Sequence, residues 1–172
     1  MEVILNSLIF LVHQFIRAMP NTYTQLYIQF VFAVQNRDAM ITEAIRNDVQ
    51  KYITGIATKK EHKMLALYCM PDHTHIFVGL NPSQSISSLA GDLKSNSARW
   101  LNQEKLCKFE FNWQEGFGAF SYHKKMISTI GNYIYNQADH HKKESFKKEY
   151  LGLLKEFDVS YNEAYLFHLF DE

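Results

Sequence analysis

Pro71 and Asp72 divide two apolar runs, M-L-A-L-Y-C-M over residues 64–70 and H-T-H-I-F-V-G-L over residues 73–80. Proline has no amide hydrogen for a ladder, so this pair can hardly lie in mid-strand. Two strand-type runs joined by a tight turn predict an antiparallel hairpin. Successive strand residues point to opposite faces, which puts His73 and His75 on one face and Thr74 on the other. Ile76 and Val78 share the Thr74 face and predict a core there. The histidines follow the turn directly, which predicts a strand end that meets solvent. Two imidazoles side by side on a stiff strand can form two corners of a metal site. Taken alone, H-x-H is a weak signal, because satisfied structural pairs occur by chance.

The flanking segments supply partners for the hairpin. Residues 23–34 place Leu26, Ile28, Phe30, Phe32 and Val34 in strict alternation, a first strand expected to be central. Residues 41–56 carry apolar positions at helical spacing, with Gly55 near the expected end. A second helix follows Asn81-Pro82-Ser83. Ile86, Leu89, Ala90, Leu93, Trp100 and Leu101 form its stripe, and Ser83 or Ser85 can cap it. Residues 109–121 are aromatic and glycine-punctuated, a loop with a short strand near residues 119–122. A third helix is expected from Lys125 through Tyr133 and Gln137 to about His141. A basic stretch spans residues 140–148, and residues 150–170 suggest a further helix and an apolar segment that docks. The order predicts an α+β fold, an antiparallel sheet covered by helices, in a ferredoxin-like or RRM-like arrangement.

A chain of 172 residues favours one domain with a real core. With 18 Lys plus Arg against 18 Asp plus Glu, net charge gives no argument for nucleic-acid binding, although a local basic face can act alone. Cys69 and Cys107 lie far apart and form no C-x-x-C pair, which fits a reducing cytoplasm better than a disulfide framework. Residues 4–16 are apolar, but Glu2 precedes them with no early Lys or Arg, and the run is short for a bilayer span. Residues 1–18 are therefore read as a leader, such as an upstream start, ahead of a single domain over residues 19–172. A docked amphipathic helix is the alternative, and an export signal comes last.

In Asn132-Tyr133-Ile134-Tyr135-Asn136-Gln137-Ala138, Tyr133 and Gln137 stand four apart and share a helix face, while Tyr135 points away. A Gln carbonyl oxygen beside two imidazoles makes a mixed site with open positions. Such a set suits Mg²⁺ or Mn²⁺ completed by water and phosphate oxygens better than closed structural zinc. A tyrosine beside that site can attack phosphorus and store the bond energy as a phosphotyrosine ester. No dedicated base is legible in the sequence. The bland alternatives are an ordinary core aromatic and a solvated glutamine.

The runs Y-C-M-P-D-H-T-H-I-F-V, W-Q-E-G-F-G-A-F-S and Y-I-Y-N-Q-A-D-H-H-K-K together resemble the single-tyrosine transposases of small bacterial insertion sequences, within the HUH endonuclease superfamily. Thr74 stands where a bulkier hydrophobic residue is usual, on the face away from the histidines. The resemblance implies His73, His75 and Gln137 as metal ligands and Tyr133 as nucleophile. It implies action on single-stranded DNA hairpins near element ends through a 5′-phosphotyrosine. It also implies a homodimer that can exchange the tyrosine helix, with Gly116, Gly118 or Gly131 as hinges or as plain turn formers. The corresponding setting is the bacterial cytoplasm, at the nucleoid during action, with no membrane partner.

Basic and aromatic residues around these motifs are candidate DNA contacts: Lys94, Arg99, Trp113, Lys124, Lys125, Lys142 and Lys143, with Phe117 a further stacking candidate. His140 and His141 read as surface or phosphate-facing residues rather than ligands. Two competing readings keep these residues but not the mobility: a domesticated hairpin-binding protein or nuclease with a host role, and a non-enzymatic protein with structural zinc at His73 and His75.

Overall fold

The structure, a computed structural model, describes residues 23–163 and Leu166. The expected leader and the apolar terminal segment lie outside the described residues. Four strands form one antiparallel sheet: β1 (Tyr27–Ala33), β2 (Lys63–Cys69), β3 (His73–Gly79) and β4 (Gly118–Tyr122), in the order β2-β3-β1-β4. The α+β architecture and the hairpin across Pro71-Asp72 are as the sequence predicts, and β1 is an inner strand. It is shorter than the expected 23–34, because Tyr23 and Leu26 are exposed.

Five helices complete the described fold: α1 (Glu43–Lys59), α2 (Ile86–Gln103), α3 (Ile127–Tyr135), α4 (Gln137–His140) and α5 (Phe146–Glu156). Helix α1 runs through Gly55 rather than ending there. The Ser85 side chain caps α2 by accepting from the Ser88 amide at 3.1 Å, settling which serine does so.

Helices cover both faces of the sheet. On one, Phe30, Phe32, Ile76 and Val78 pack with Val49 and Ile53 of α1 and Leu89 and Leu93 of α2. On the other, Ala66 and Phe77 meet Ile130 and Ile134 of α3, while Val31, Ala33 and Phe120 meet Phe146, Tyr150 and Leu153 of α5. His73 and His75 fall on this second face by strand alternation. The strand end that was expected to meet solvent is therefore covered: His73 is 1% exposed and His75 0%.

The single helix expected over residues 125–141 is interrupted. Asn136, at φ −95° and ψ 15°, separates α3 from α4, and its side chain donates to Asn132 O. Such a side chain competes with the backbone for hydrogen bonds and disfavours uninterrupted helix. The last helix begins at Phe146, inside the basic stretch, with Ser145 as its cap. Among the candidate hinges, Gly116 has a left-handed φ of +73°, Gly118 lies in β4 and Gly131 inside α3.

Candidate active site

The β3–β1 register sets Val31 opposite His75 and Ala33 opposite His73, two small or branched residues that leave room above the histidine face. Phe146 stacks on His73 at 4.2 Å between ring centroids, and Arg37 lies over the same phenyl ring at 4.8 Å. His73 Nδ1 faces Asp72 Oδ1 at 2.7 Å, and Arg37 donates to the same carboxylate. Burial opposes the Asp72 charge, but the His73 and Arg37 contacts override it and hold the carboxyl well below its usual range. Burial pushes the His73 imidazole down to about 4 despite Asp72, so the ring is neutral near pH 7.

Glu149, on α5, is the node of the cluster. It is 5% exposed. Its Oε1 accepts from the Tyr133 hydroxyl and from Gln137 Nε2 at 2.8 Å. Its Oε2 lies 3.1 Å from His141 Nε2 and 3.4 Å from His75 Nε2. Burial alone would raise the Glu149 carboxyl, but the neighbouring His75, His141 and Tyr133 hold it far below the usual range. Burial, reinforced by the Glu149 charge, pushes the Tyr133 hydroxyl well above its ordinary value. Tyr133 is thus a protonated donor at rest.

The structure brings together His73, His75, Tyr133 and Gln137, all named from the sequence. It adds Glu149 and His141, and this corrects the reading of His141 as a surface residue: its Nε2 lies 3.0 Å from His73 Nε2. His73, His75, His141 and Glu149 each point one donor atom into a volume where all lie within 4.8 Å of one another. Buried His75 Nε2, Gln137 Oε1 and Glu149 Oε2 have no hydrogen-bond partner. Buried polar atoms are ordinarily paired, so these unpartnered atoms, beside four donor groups that converge, suit a cation. The residues therefore fit the metal that the H-x-H motif suggests.

The other face of each histidine is also held. Gln29, fully buried on β1, lies 3.0 Å from His75 Nδ1 and accepts from Tyr122 Oη at 2.9 Å. A cavity of about 420 Å³ opens beside Tyr133 and Glu149, between α3 and α5. A larger cleft, about 990 Å³, lies between α1 and α2 behind the sheet, away from these residues.

The candidate DNA contacts separate by position. Lys124 and Lys125 precede α3, and Lys142 and Lys143 follow α4, all exposed on the Tyr133 side of the sheet. Lys142 pairs with Asp139 at 2.7 Å. Lys94 and Arg99 stand on α2, behind the sheet. Lys94 already donates to the Gln114 and Gly116 carbonyls at 2.6 and 2.7 Å, so its ammonium fastens the loop before β4. Trp113 is only 8% exposed, with its indole N–H donated to Ser97 Oγ, so it is a core ring rather than an open stacking platform. Phe117 is half-buried against Phe30.

Sequence reasoning missed Glu149, His141, Gln29 and Arg37. A signal existed for Glu149. Phe146, Glu149, Tyr150, Leu153 and Leu154 form one helical stripe, and a carboxylate on an otherwise apolar stripe asks for a buried partner.

Comparison with known proteins places this geometry. The family model described as "Transposase IS200 like" matches residues 22–137. The ISDra2 transposase TnpA of Deinococcus radiodurans is 23% identical over 121 residues, 67% of this chain and 86% of that protein. Two solved structures share the fold. A putative transposase from Deinococcus radiodurans R1 superposes with a TM-score of 0.56 at 20% identity, over 70% of this chain and 97% of that one. A REP-associated tyrosine transposase bound to a REP hairpin gives 0.54 at 18% identity, over 70% of this chain and 72% of that one. Among the described residues no helix is long and apolar enough to cross a membrane. With the family model covering most of the chain, including the histidine pair, Tyr133 and Gln137, this protein belongs to the IS200-like transposases.

Proposed function

We propose that this transposase cuts and rejoins single-stranded DNA at hairpin-marked ends, with Tyr133 as nucleophile and His73, His75 and Gln137 as ligands of Mg²⁺ or Mn²⁺. The observation that carries the reading is that Tyr133 and Gln137 both donate to Glu149 Oε1, while the other oxygen of that carboxylate lies 3.4 Å from His75 Nε2 in a cluster with His73. A phosphodiester entering beside α3 meets the hydroxyl first. The Tyr133 Oη–phosphorus bond forms, the bond from phosphorus to the 3′-oxygen breaks, and the 3′-oxygen leaves as a hydroxyl after taking a proton. The product is a 5′-phosphotyrosine.

Glu149 accepts the Tyr133 hydrogen bond and is the group in place to receive the phenolic proton. Asp72 and Arg37 fix the His73 ring and its Nδ1–H, leaving Nε2 as a donor atom. A divalent cation supplies positive charge that polarises the phosphate and lowers the cost of a phenolate. Lys124, Lys125, Lys142 and Lys143 offer phosphate contacts around the entrance.

The test is cleavage of a hairpin-bearing single strand with Mg²⁺ or Mn²⁺, scored for a covalent protein–DNA adduct. Tyr133→Phe is expected to abolish the adduct and Tyr135→Phe to keep it. An adduct that survives Tyr133→Phe overturns the nucleophile assignment. His73→Ala is expected to remove cleavage while hairpin binding persists.

We also propose a homodimer on DNA that can exchange the tyrosine helix. At rest α3 packs on its own sheet through Ile130 and Ile134. Mixing Tyr133→Phe with His73→Ala protein is expected to restore the adduct, since exchange rebuilds one intact site. A mixture as inactive as its components counts against exchange.

A further inference from the structure

The hydrogen bonds at the outer nitrogens of His73 and His141 leave a conflict inside the cluster. His73 Nδ1 faces the Asp72 carboxylate, and His141 Nδ1 faces the Glu144 carbonyl at 2.9 Å. Both outer groups only accept, so both Nδ1 atoms carry the ring hydrogen when the imidazoles are neutral. Each Nε2 then presents a lone pair, and the two lie 3.0 Å apart with no hydrogen between them. Glu149 Oε2 adds a third unpartnered acceptor 3.1 Å from His141 Nε2, and His75 Nε2 a fourth atom 3.4 Å from that oxygen.

A single cation between these atoms satisfies all four at once. We propose that His73, His75, His141 and Glu149 form a closed four-donor site for a zinc-class divalent ion, beyond the open His73–His75–Gln137 set used for phosphoryl transfer. Three imidazoles and a carboxylate suit zinc or cobalt far better than Mg²⁺, which prefers all-oxygen octahedra with several waters. His75 joins through Nε2 once the Gln29 amide turns over. Its oxygen then accepts from His75 Nδ1–H, and its NH₂ donates to Tyr122 Oη. Four protein donors leave no position for a phosphate oxygen. Glu149 in this state also holds the Tyr133 hydroxyl through its other oxygen, so the closed site is a resting form. His141 and Glu149 lie beyond residues 22–137, the stretch matched by the family model.

The inference shares His73 and His75 with the proposed catalytic site but does not require DNA cleavage. The test is titration of the metal-free full chain with Co²⁺ by visible absorption, followed by displacement with Zn²⁺. One equivalent is expected to give the intense bands of a four-coordinate site. Glu149→Gln and His141→Ala are each expected to weaken Zn²⁺ binding on the order of 100-fold or more, beyond the usual loss for an outer-shell partner. Both should collapse the bands, whereas Lys51→Ala, on the exposed side of α1, leaves them unchanged. Glu149→Gln is nearly isosteric, so it discriminates even where His141→Ala fails to fold.

Weak six-coordinate bands in the wild type overturn the proposal, and so does unchanged binding in Glu149→Gln. If Tyr133-dependent adducts still form with Mg²⁺ in either of those outcomes, the catalytic reading stands and only the closed site falls. Strong four-coordinate bands without any adduct sink the catalytic reading alone.

Discussion

Glu149 shows how one side chain sets the state of several others. Burial and its carboxylate together hold Tyr133 protonated, and that carboxylate also anchors Gln137 and faces two imidazoles. His73 gives the residue-scale prediction for pH. Its folded value near 4 lies below the ordinary 6.5, chiefly through burial. Between those values the unfolded chain binds a proton that the folded ring refuses, so stability falls as pH drops from about 6.5 to about 4. The raised value of His141 acts with the opposite sign, above pH 6.5, where its stabilisation is lost as pH rises. Urea melts of metal-free protein are expected to lose on the order of 1–3 kcal/mol across the acid window, at about 1.4 kcal/mol per pH unit. A His73→Asn variant should show a flatter slope there. Gln29→Leu removes the partner of both His75 and Tyr122, and should cost about 1–3 kcal/mol by leaving buried groups unpaired.

At the scale of elements, α5 converts a strand-end motif into a buried pocket. Phe146 covers His73, Glu149 enters the cluster, and Tyr150 closes on β4. That last contact depends on Gly118, where an added Cβ would stand 2.9 Å from Tyr150 Cε2 and 3.1 Å from Phe120 Cε2. Gly118→Val is expected to push α5 off the sheet, at about 1–3 kcal/mol of overpacking cost. Hydrogen exchange should then accelerate in residues 146–156 while α1 and α2 keep their protection. Equal acceleration in all helices would mean that α5 does not open as a separate unit. Gly116 answers a different need, because its positive φ serves a turn whose carbonyl Lys94 also fastens.

Across the molecule, the sheet separates an apolar scaffold from the face that carries the candidate site. Helices α1 and α2 seal one side with an apolar core, and α3, α4 and α5 gather the titratable groups on the other. The exposed lysines follow the same division: Lys124, Lys125, Lys142 and Lys143 flank the face of the candidate site, whereas Lys94 is spent on the scaffold. Replacing those four exposed lysines with alanine is expected to weaken hairpin binding and reduce its salt dependence, as fewer phosphates are neutralised. Filter binding across a salt series measures both, and an unchanged slope would move the DNA path elsewhere. The fold should be unaffected, since surface charges contribute little to stability.

Local rules were enough for much of this protein. Pro71-Asp72 and the flanking runs determined the hairpin, and alternation put His73 and His75 on one face. Those are properties of backbone geometry that neighbouring residues settle among themselves. The contributions of Glu149, His141 and Gln29 were decided only in three dimensions, because each meets the histidine pair across 46 residues of chain or more, through a helix or strand docked by unrelated apolar contacts. Burial followed the same logic. A strand end reads as exposed until α5 lies over it, and only then do lone pairs that water would satisfy become a pocket that asks for a cation.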